Sequence, residues 1–91
     1  MNLNLSFRHI DPTEAIKDKI EQKAQHLTKL IPNHASIDWT CSVEGNIHKS
    51  DVLVHAHGNR YHAHAVDDNL YKTFDKIITK LESQIYKQQK A

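Results

Sequence analysis

The stretch Ser50-Asp51-Val52-Leu53-Val54-His55-Ala56-His57-Gly58-Asn59-Arg60-Tyr61-His62-Ala63-His64-Ala65 decides the fold. Apolar residues recur at every second position on either side of Gly58, the period of a half-buried strand. Val52, Val54 and Ala56 form the inward set of the first arm, and Tyr61, Ala63 and Ala65 that of the second. Gly58-Asn59 between them reads as a two-residue hairpin turn. That register pairs His57 with Arg60, His55 with His62 and Leu53 with His64, and leaves every apolar position on the opposite face.

Upstream, Ile37, Trp39, Cys41 and Val43 alternate with Asp38, Thr40, Ser42 and Glu44, which predicts another strand, closed by the turn signal Glu44-Gly45-Asn46. Asn2 to Arg8 alternates too, with Leu3, Leu5 and Phe7 on one face. Between these strands, Asp11-Pro12-Thr13-Glu14 reads as a helix start, with Asp11 as the cap, Pro12 in the first turn and Glu14 three residues on. Ile16, Ile20, Ala24, Leu27 and Ile31 follow at helical spacing until Pro32-Asn33. Downstream, Asp67-Asp68-Asn69 puts acids at the positive end of a last helix. Leu70, Phe74, Ile77, Ile78, Leu81 and Ile85 are its apolar face. The order is β-α-β-β-β-α, an α+β fold with both helices on one side of a four-stranded sheet. The other sheet face is left for solvent or a partner.

The 91 residues suit one domain, residues 1–91. No apolar run approaches the roughly 18 residues of a membrane span. The start, Met1-Asn2-Leu3-Asn4-Leu5, lacks the basic and apolar segments of a signal peptide, so the expected location is the cytoplasm. Cys41 is a lone cysteine in a strand pattern, which reads as a small core residue. Net charge is +1 with histidine neutral, so the whole chain does not announce a nucleic-acid binder. Eight histidines make it more basic under mild acid.

The distribution of charge is more informative. At about 100° per residue, Lys72, Lys76, Lys80, Lys87 and Lys90 fall within an arc of about 80° on the last helix. The stripe is about 27 Å long at ~1.5 Å per residue, enough to track several phosphates. Asp75 and Glu82 lie away from it. It reads either as an RNA-binding row or as a solvated helix face. Lys19, Lys23 and His26 give the first helix a weaker basic edge, and the two edges together can line a shared groove.

On the hairpin, alternation puts His55, His57, His62, His64 and Arg60 on the open sheet face, where Arg8 also falls. Three readings stand: RNA contact, a zinc or copper site, or a polar face that uses histidine. No carboxylate or cysteine completes a metal set, and no metal ligand is assigned. With only Gly45 and Gly58 there is no glycine-rich phosphate loop, and no Ser, His and acid set has a recognisable context. No catalytic residue and no cofactor are expected.

The stretch Ser50 to Ala56, Gly58, Tyr61-His62-Ala63-His64-Ala65 and Asp68-Asn69-Leu70-Tyr71, continuing into Phe74-Asp75-Lys76-Ile77-Ile78-Thr79-Lys80-Leu81-Glu82, resembles the short ribosome hibernation-promoting factor and ribosome-associated inhibitor family. The N-terminal strand and Asp11 to Leu30 fit in order and spacing, so the resemblance covers nearly the whole chain. It implies a non-enzymatic translation inhibitor lying in the mRNA and tRNA channel of the 30S subunit, in free subunits or 70S ribosomes, against 16S rRNA. It implies no membrane partner and no small-molecule substrate. By position it implies RNA contacts for Lys80, Lys87 and Lys90; geometry adds Arg8, Lys23, Arg60, His62, His64, Lys72 and Lys76. The family's last helix usually ends in a denser basic run than Tyr86-Lys87-Gln88-Gln89-Lys90-Ala91. Two other readings from the residues remain: a small histidine-rich metal-binding protein, and a generic structured-RNA binder, for which a similar strand and helix arrangement serves.

Overall fold

The structure, a computed structural model, describes residues 1–89. It runs β1 (Asn2–Arg8), α1 (Glu14–Ala24), one 3-10 turn (Gln25–Leu27), β2 (Ser36–Glu44), β3 (Ile47–Ala56), β4 (Asn59–Asp67) and α2 (Leu70–Gln89). The sheet order is β1-β2-β3-β4. β1 and β2 are parallel, joined by the α1 crossover, and the other pairs are antiparallel hairpins. Both helices pack on one face, as the alternation requires. Ile37, Trp39, Cys41, Val52, Val54, Tyr61 and Ala63 from the sheet share one core with Ile16, Ile20 and Leu27 and with Leu70, Phe74, Ile77, Leu81 and Ile85 of α2. Trp39 and Phe74 meet edge to face, with ring centroids 5.6 Å apart. Leu3, Leu5 and Phe7 of β1 are only partly covered, because β1 is an edge strand.

Five local expectations are corrected. The β3–β4 turn is His57-Gly58, not Gly58-Asn59: Ala56 pairs with Asn59, and His57 and Gly58 both have left-handed φ, 57° and 71°. Two central residues at positive φ are the pattern of a type I′ turn, whose twist matches the strands. The register moves by two residues, so His55 faces Arg60, Leu53 faces His62 and Asp51 faces His64. A two-residue shift keeps every side chain on its face, so alternation alone does not decide it. Asp51 gains two imidazole neighbours in the observed register. His57 leaves the open face, and its Nε2 lies 3.0 Å from the Leu30 carbonyl oxygen.

The cap of α1 is Thr13, not Asp11: the Thr13 hydroxyl oxygen accepts from the Ile16 backbone N–H at 3.1 Å. α1 also stops at Ala24, and the chain tightens into the 3-10 turn. Leu27 and Ile31 still reach the core from beyond the helix. β3 starts at Ile47 rather than Ser50, because Gly45-Asn46 closes a tight hairpin with Glu44 opposite Ile47.

Trp39 Nε1–H donates to the Ser50 hydroxyl at 3.3 Å, and the Ser50 and Thr73 hydroxyls are 2.7 Å apart. This row satisfies two buried hydroxyls between sheet and helix. Burial pushes the Cys41 thiol up to about 11, hydrogen bonds with Ser50 and Trp39 only partly opposing it. Such a thiol stays protonated and is a core residue.

Candidate nucleic-acid interface

α2 runs antiparallel to β4 and lies along that edge strand. Lys76 Nζ donates to the Val66 carbonyl at 3.1 Å, Lys80 Nζ to the His64 carbonyl, and Gln84 Nε2 to the His62 carbonyl at 2.6 Å. The match is geometric. Four helical residues rise about 6.0 Å, and two strand residues about 6.6–6.8 Å, so one helix row meets alternate carbonyls of the edge. Unpaired edge groups invite another strand, and this row covers them. Lys76 Nζ also lies 2.9 Å from the Asp67 carboxylate. That bond, helped by one with Asp68, holds the Asp67 carboxyl well below the usual carboxylate range.

Two concave surfaces follow this edge. One, of about 640 Å³, is lined by His62, His64, Thr79, Lys80, Ser83 and Gln84 among others. The next, of about 440 Å³, is lined by Arg60, Tyr61, Gln84, Lys87 and Gln88. Gln84 belongs to both, so the edge brings Arg60, His62, His64, Lys80 and Lys87 together. Lys76 continues the row, and Lys72 is exposed one turn earlier on α2. Arg8 and Lys23 are elsewhere. Arg8 is on β1, at the far side of the sheet. Lys23 Nζ is 2.5 Å from the Asp75 carboxylate, an α1–α2 ion pair. Lys90 lies outside the described residues.

The lysine stripe is therefore basic and structural at once. Among the described residues its freest ammonium groups belong to Lys72 and Lys87, since Lys76 and Lys80 already hold backbone carbonyls. Gln84 was not among the residues expected at the interface. Its sequence signal is the i, i+4, i+8 row of long donors at 76, 80 and 84. Asp51 was missed for another reason: its Oδ1 is 2.8 Å from His62 Nε2 and its Oδ2 is 3.7 Å from His64 Nδ1, a meeting that depends on the register. The cross-strand pair of His55 and His62, the neighbours that the zinc or copper reading would need, does not form. Among the described residues no group of three or more His, Cys, Asp or Glu side chains is placed to hold a metal ion. No helix among them is long and apolar enough to cross a membrane.

Fold and edge together define a small α+β domain with a basic helix laid along the last strand of a mixed sheet. The family model described as sigma 54 modulation protein / S30EA ribosomal protein matches residues 3–91, and the chain belongs to that family. It is 29% identical over 87 residues to the ribosome hibernation promoting factor of Escherichia coli strain K12, covering 96% of this chain and 92% of that protein. It is 32% identical over 93 residues to the ribosome hibernation promotion factor of a Picosynechococcus species, of which it spans 48%. The crystal structure of the Thermus thermophilus Protein Y N-terminal domain superposes with a TM-score of 0.87 at 26% identity, covering 93% of this chain and 96% of that one. A ribosomal subunit interface protein from Coxiella burnetii gives a TM-score of 0.89 at 23% identity over the full length of both chains, a likeness of fold.

Proposed function

We propose that this chain is a non-enzymatic translation inhibitor that binds idle ribosomes and promotes their hibernation. It acts in the cytoplasm, with residues 1–91 as one ribosome-binding unit. It occupies the mRNA and tRNA channel of the 30S subunit at the decoding region, free or within 70S ribosomes, and contacts 16S rRNA. The observation that carries this reading is the match to ribosome hibernation promoting factors across 96% of the chain, within a family that spans residues 3–91.

The edge built by α2 and β4 supplies the contact. Lys72 and Lys87 neutralise phosphates directly, while Arg60, His62, His64, Lys76 and Lys80 line the same edge. Lys23 on α1 and Arg8 on β1 contact RNA apart from this edge, and Lys90, outside the described residues, is a further contact by its place in the sequence. Phosphate contacts position such a protein without reading sequence, which suits an RNA surface of fixed shape.

Chemical probing of 16S rRNA in purified 30S subunits tests the placement. With the chain bound, protection is expected around the decoding centre, and a leaderless mRNA fragment with its tRNA should compete for it. Protection confined to other regions of the subunit would refute the channel placement. Equal binding to an unrelated RNA duplex would favour the generic structured-RNA reading.

A further inference from the structure

The open face of the sheet, turned away from both helices, carries a second polar cluster. The register sets Arg8, Ser42, Lys49 and Val66 abreast across the four strands, and Ser6, Thr40, Asp51 and His64 in the next row. Arg8, Thr40, Ser42, Lys49, Asp51 and His64 line one concave site of about 390 Å³. Every strand contributes to it.

The charges in this site are unevenly matched. Among the described residues neither Arg8 nor Lys49 forms an ion pair. The one carboxylate in the lining, Asp51, is taken up by β4: 2.8 Å to His62 Nε2 and 3.7 Å to His64 Nδ1. Two permanent cations and two hydroxyls thus face a cavity whose own acid is engaged elsewhere. A guanidinium fork, an ammonium, two hydroxyl donors and an imidazole suit a tetrahedral anion with several acceptor oxygens better than a lone carboxylate.

We propose that this cavity binds a phosphate group, presented by a free nucleotide or by the backbone of an RNA chain, with Arg8 and Lys49 as the charged donors, Thr40 and Ser42 as the hydroxyl donors, and Asp51 as a lock opened by the charging of His62 and His64. Arg8, Lys49 and Asp51 sum to +1, from two cations and one anion; two imidazolium ions raise the cluster to +3. Other charged and titratable groups surround it. On β2, Asp38 accepts from the Asn4 amide at 3.0 Å. On β3 and β4, His55 and Arg60 stand opposite one another along the sheet. From α2, Lys80 reaches the His64 carbonyl at the edge. On β2, Glu44 also stands on this face, one row beyond Ser42 and Lys49. Asp38 and Glu44 oppose an anion, while the imidazoles add positive charge, so binding strengthens as pH falls and they charge. Its charged donors come from β1 and β3 rather than from α2; because Arg8 and His64 are also rRNA contacts in the proposed function, RNA as the phosphate source rests on that reading, whereas a free nucleotide goes beyond it.

The test is a titration of the whole ¹⁵N-labelled protein, followed by amide resonances, with inorganic pyrophosphate in one arm and a short oligouridylate in the other, at about pH 6 and about pH 8. Saturable shifts are expected at Thr40, Ser42, Lys49, Asp51 and His64, tighter at the lower pH. The double variant Arg8→Gln, Lys49→Gln should lose about tenfold or more in affinity, as two charge-assisted hydrogen bonds are removed. Its remaining spectrum should match the wild type. Asp51→Asn should bind more tightly than wild type at the higher pH, because the repelling charge is gone. Saturation by pyrophosphate alone supports the site with a free phosphate or nucleotide as its source; tighter saturation by oligouridylate supports it with RNA as the source. No saturable shift with either probe at the lower pH, or shifts that persist unchanged in the double variant, would overturn the proposal.

Discussion

The Ser50 hydroxyl on β3 lies 2.7 Å from the Thr73 hydroxyl on α2, both fully buried between sheet and helix. Trp39 donates to Ser50, and Thr73 donates to the Leu70 carbonyl at 2.5 Å, so Ser50 is the donor to Thr73. Proton positions thus run in one direction through the row. Thr73→Val keeps the shape but leaves the Ser50 hydroxyl only the weak acceptor Cys41 Sγ, 3.9 Å away. It should lower stability by about 1–3 kcal/mol, the range for a stranded buried polar group. Thr73→Ser should lose less. Urea unfolding followed by Trp39 fluorescence measures both.

The β4 edge gives a second expectation. Lys80→Ala with Gln84→Ala uncovers the carbonyls of His64 and His62. Each lost bond should cost at most about 0.5–1.5 kcal/mol. The larger effect should be on association, because an uncovered strand edge pairs with another. Sedimentation equilibrium should show concentration-dependent self-association in the double variant and less of it in the wild type.

Lys72 and Lys87 separate RNA binding from fold support. Both are exposed on α2 and take no part in the row of bonds to β4. Changing both to Gln should leave unfolding unchanged and weaken ribosome binding. If each contacts one phosphate, the slope of log affinity against log salt should flatten by about 0.7–0.9 per lysine. Binding measured across a salt series checks this. An unchanged slope would make them part of a solvated face.

Asp67 predicts a pH dependence. Its carboxyl is held below the usual range by Lys76 first and Asp68 second. A depressed native value means that the stability it contributes is present above the unfolded value, about 3.9, and is lost as pH falls towards the native one. Asp67→Asn should therefore be less stable than wild type near neutrality, and the gap should close as pH drops below about 4. Unfolding curves of the two proteins at matched pH measure the gap.

The faces of this fold are legible in the sequence because side-chain direction has a fixed period. Val52, Val54, Tyr61 and Ala63 could be assigned to the core from alternation, and Phe74, Ile77 and Leu81 from helical spacing. The register was not, since sliding β4 by two residues against β3 preserves every face. What breaks the tie is local: His57 takes a left-handed φ in the turn, a conformation uncommon for a residue with a side chain. The consequences for the site were therefore hidden as well. Asp51 meets His62 and His64 only in the observed register. The dual role of Lys76 and Lys80 was hidden for a different reason: the lysine arc follows from the helix alone, whereas their bonds to β4 depend on how the helix lies across the sheet.

Co-sedimentation with purified 30S subunits and 70S ribosomes, at low and at raised salt, tests the central claim most directly. At low salt the chain should move with the 30S subunit and the 70S ribosome. The Lys72→Gln, Lys87→Gln variant, folded as the wild type, should be released at lower salt. A wild-type chain that stays at the top of the gradient at low salt, with neither particle retaining it, would contradict the account.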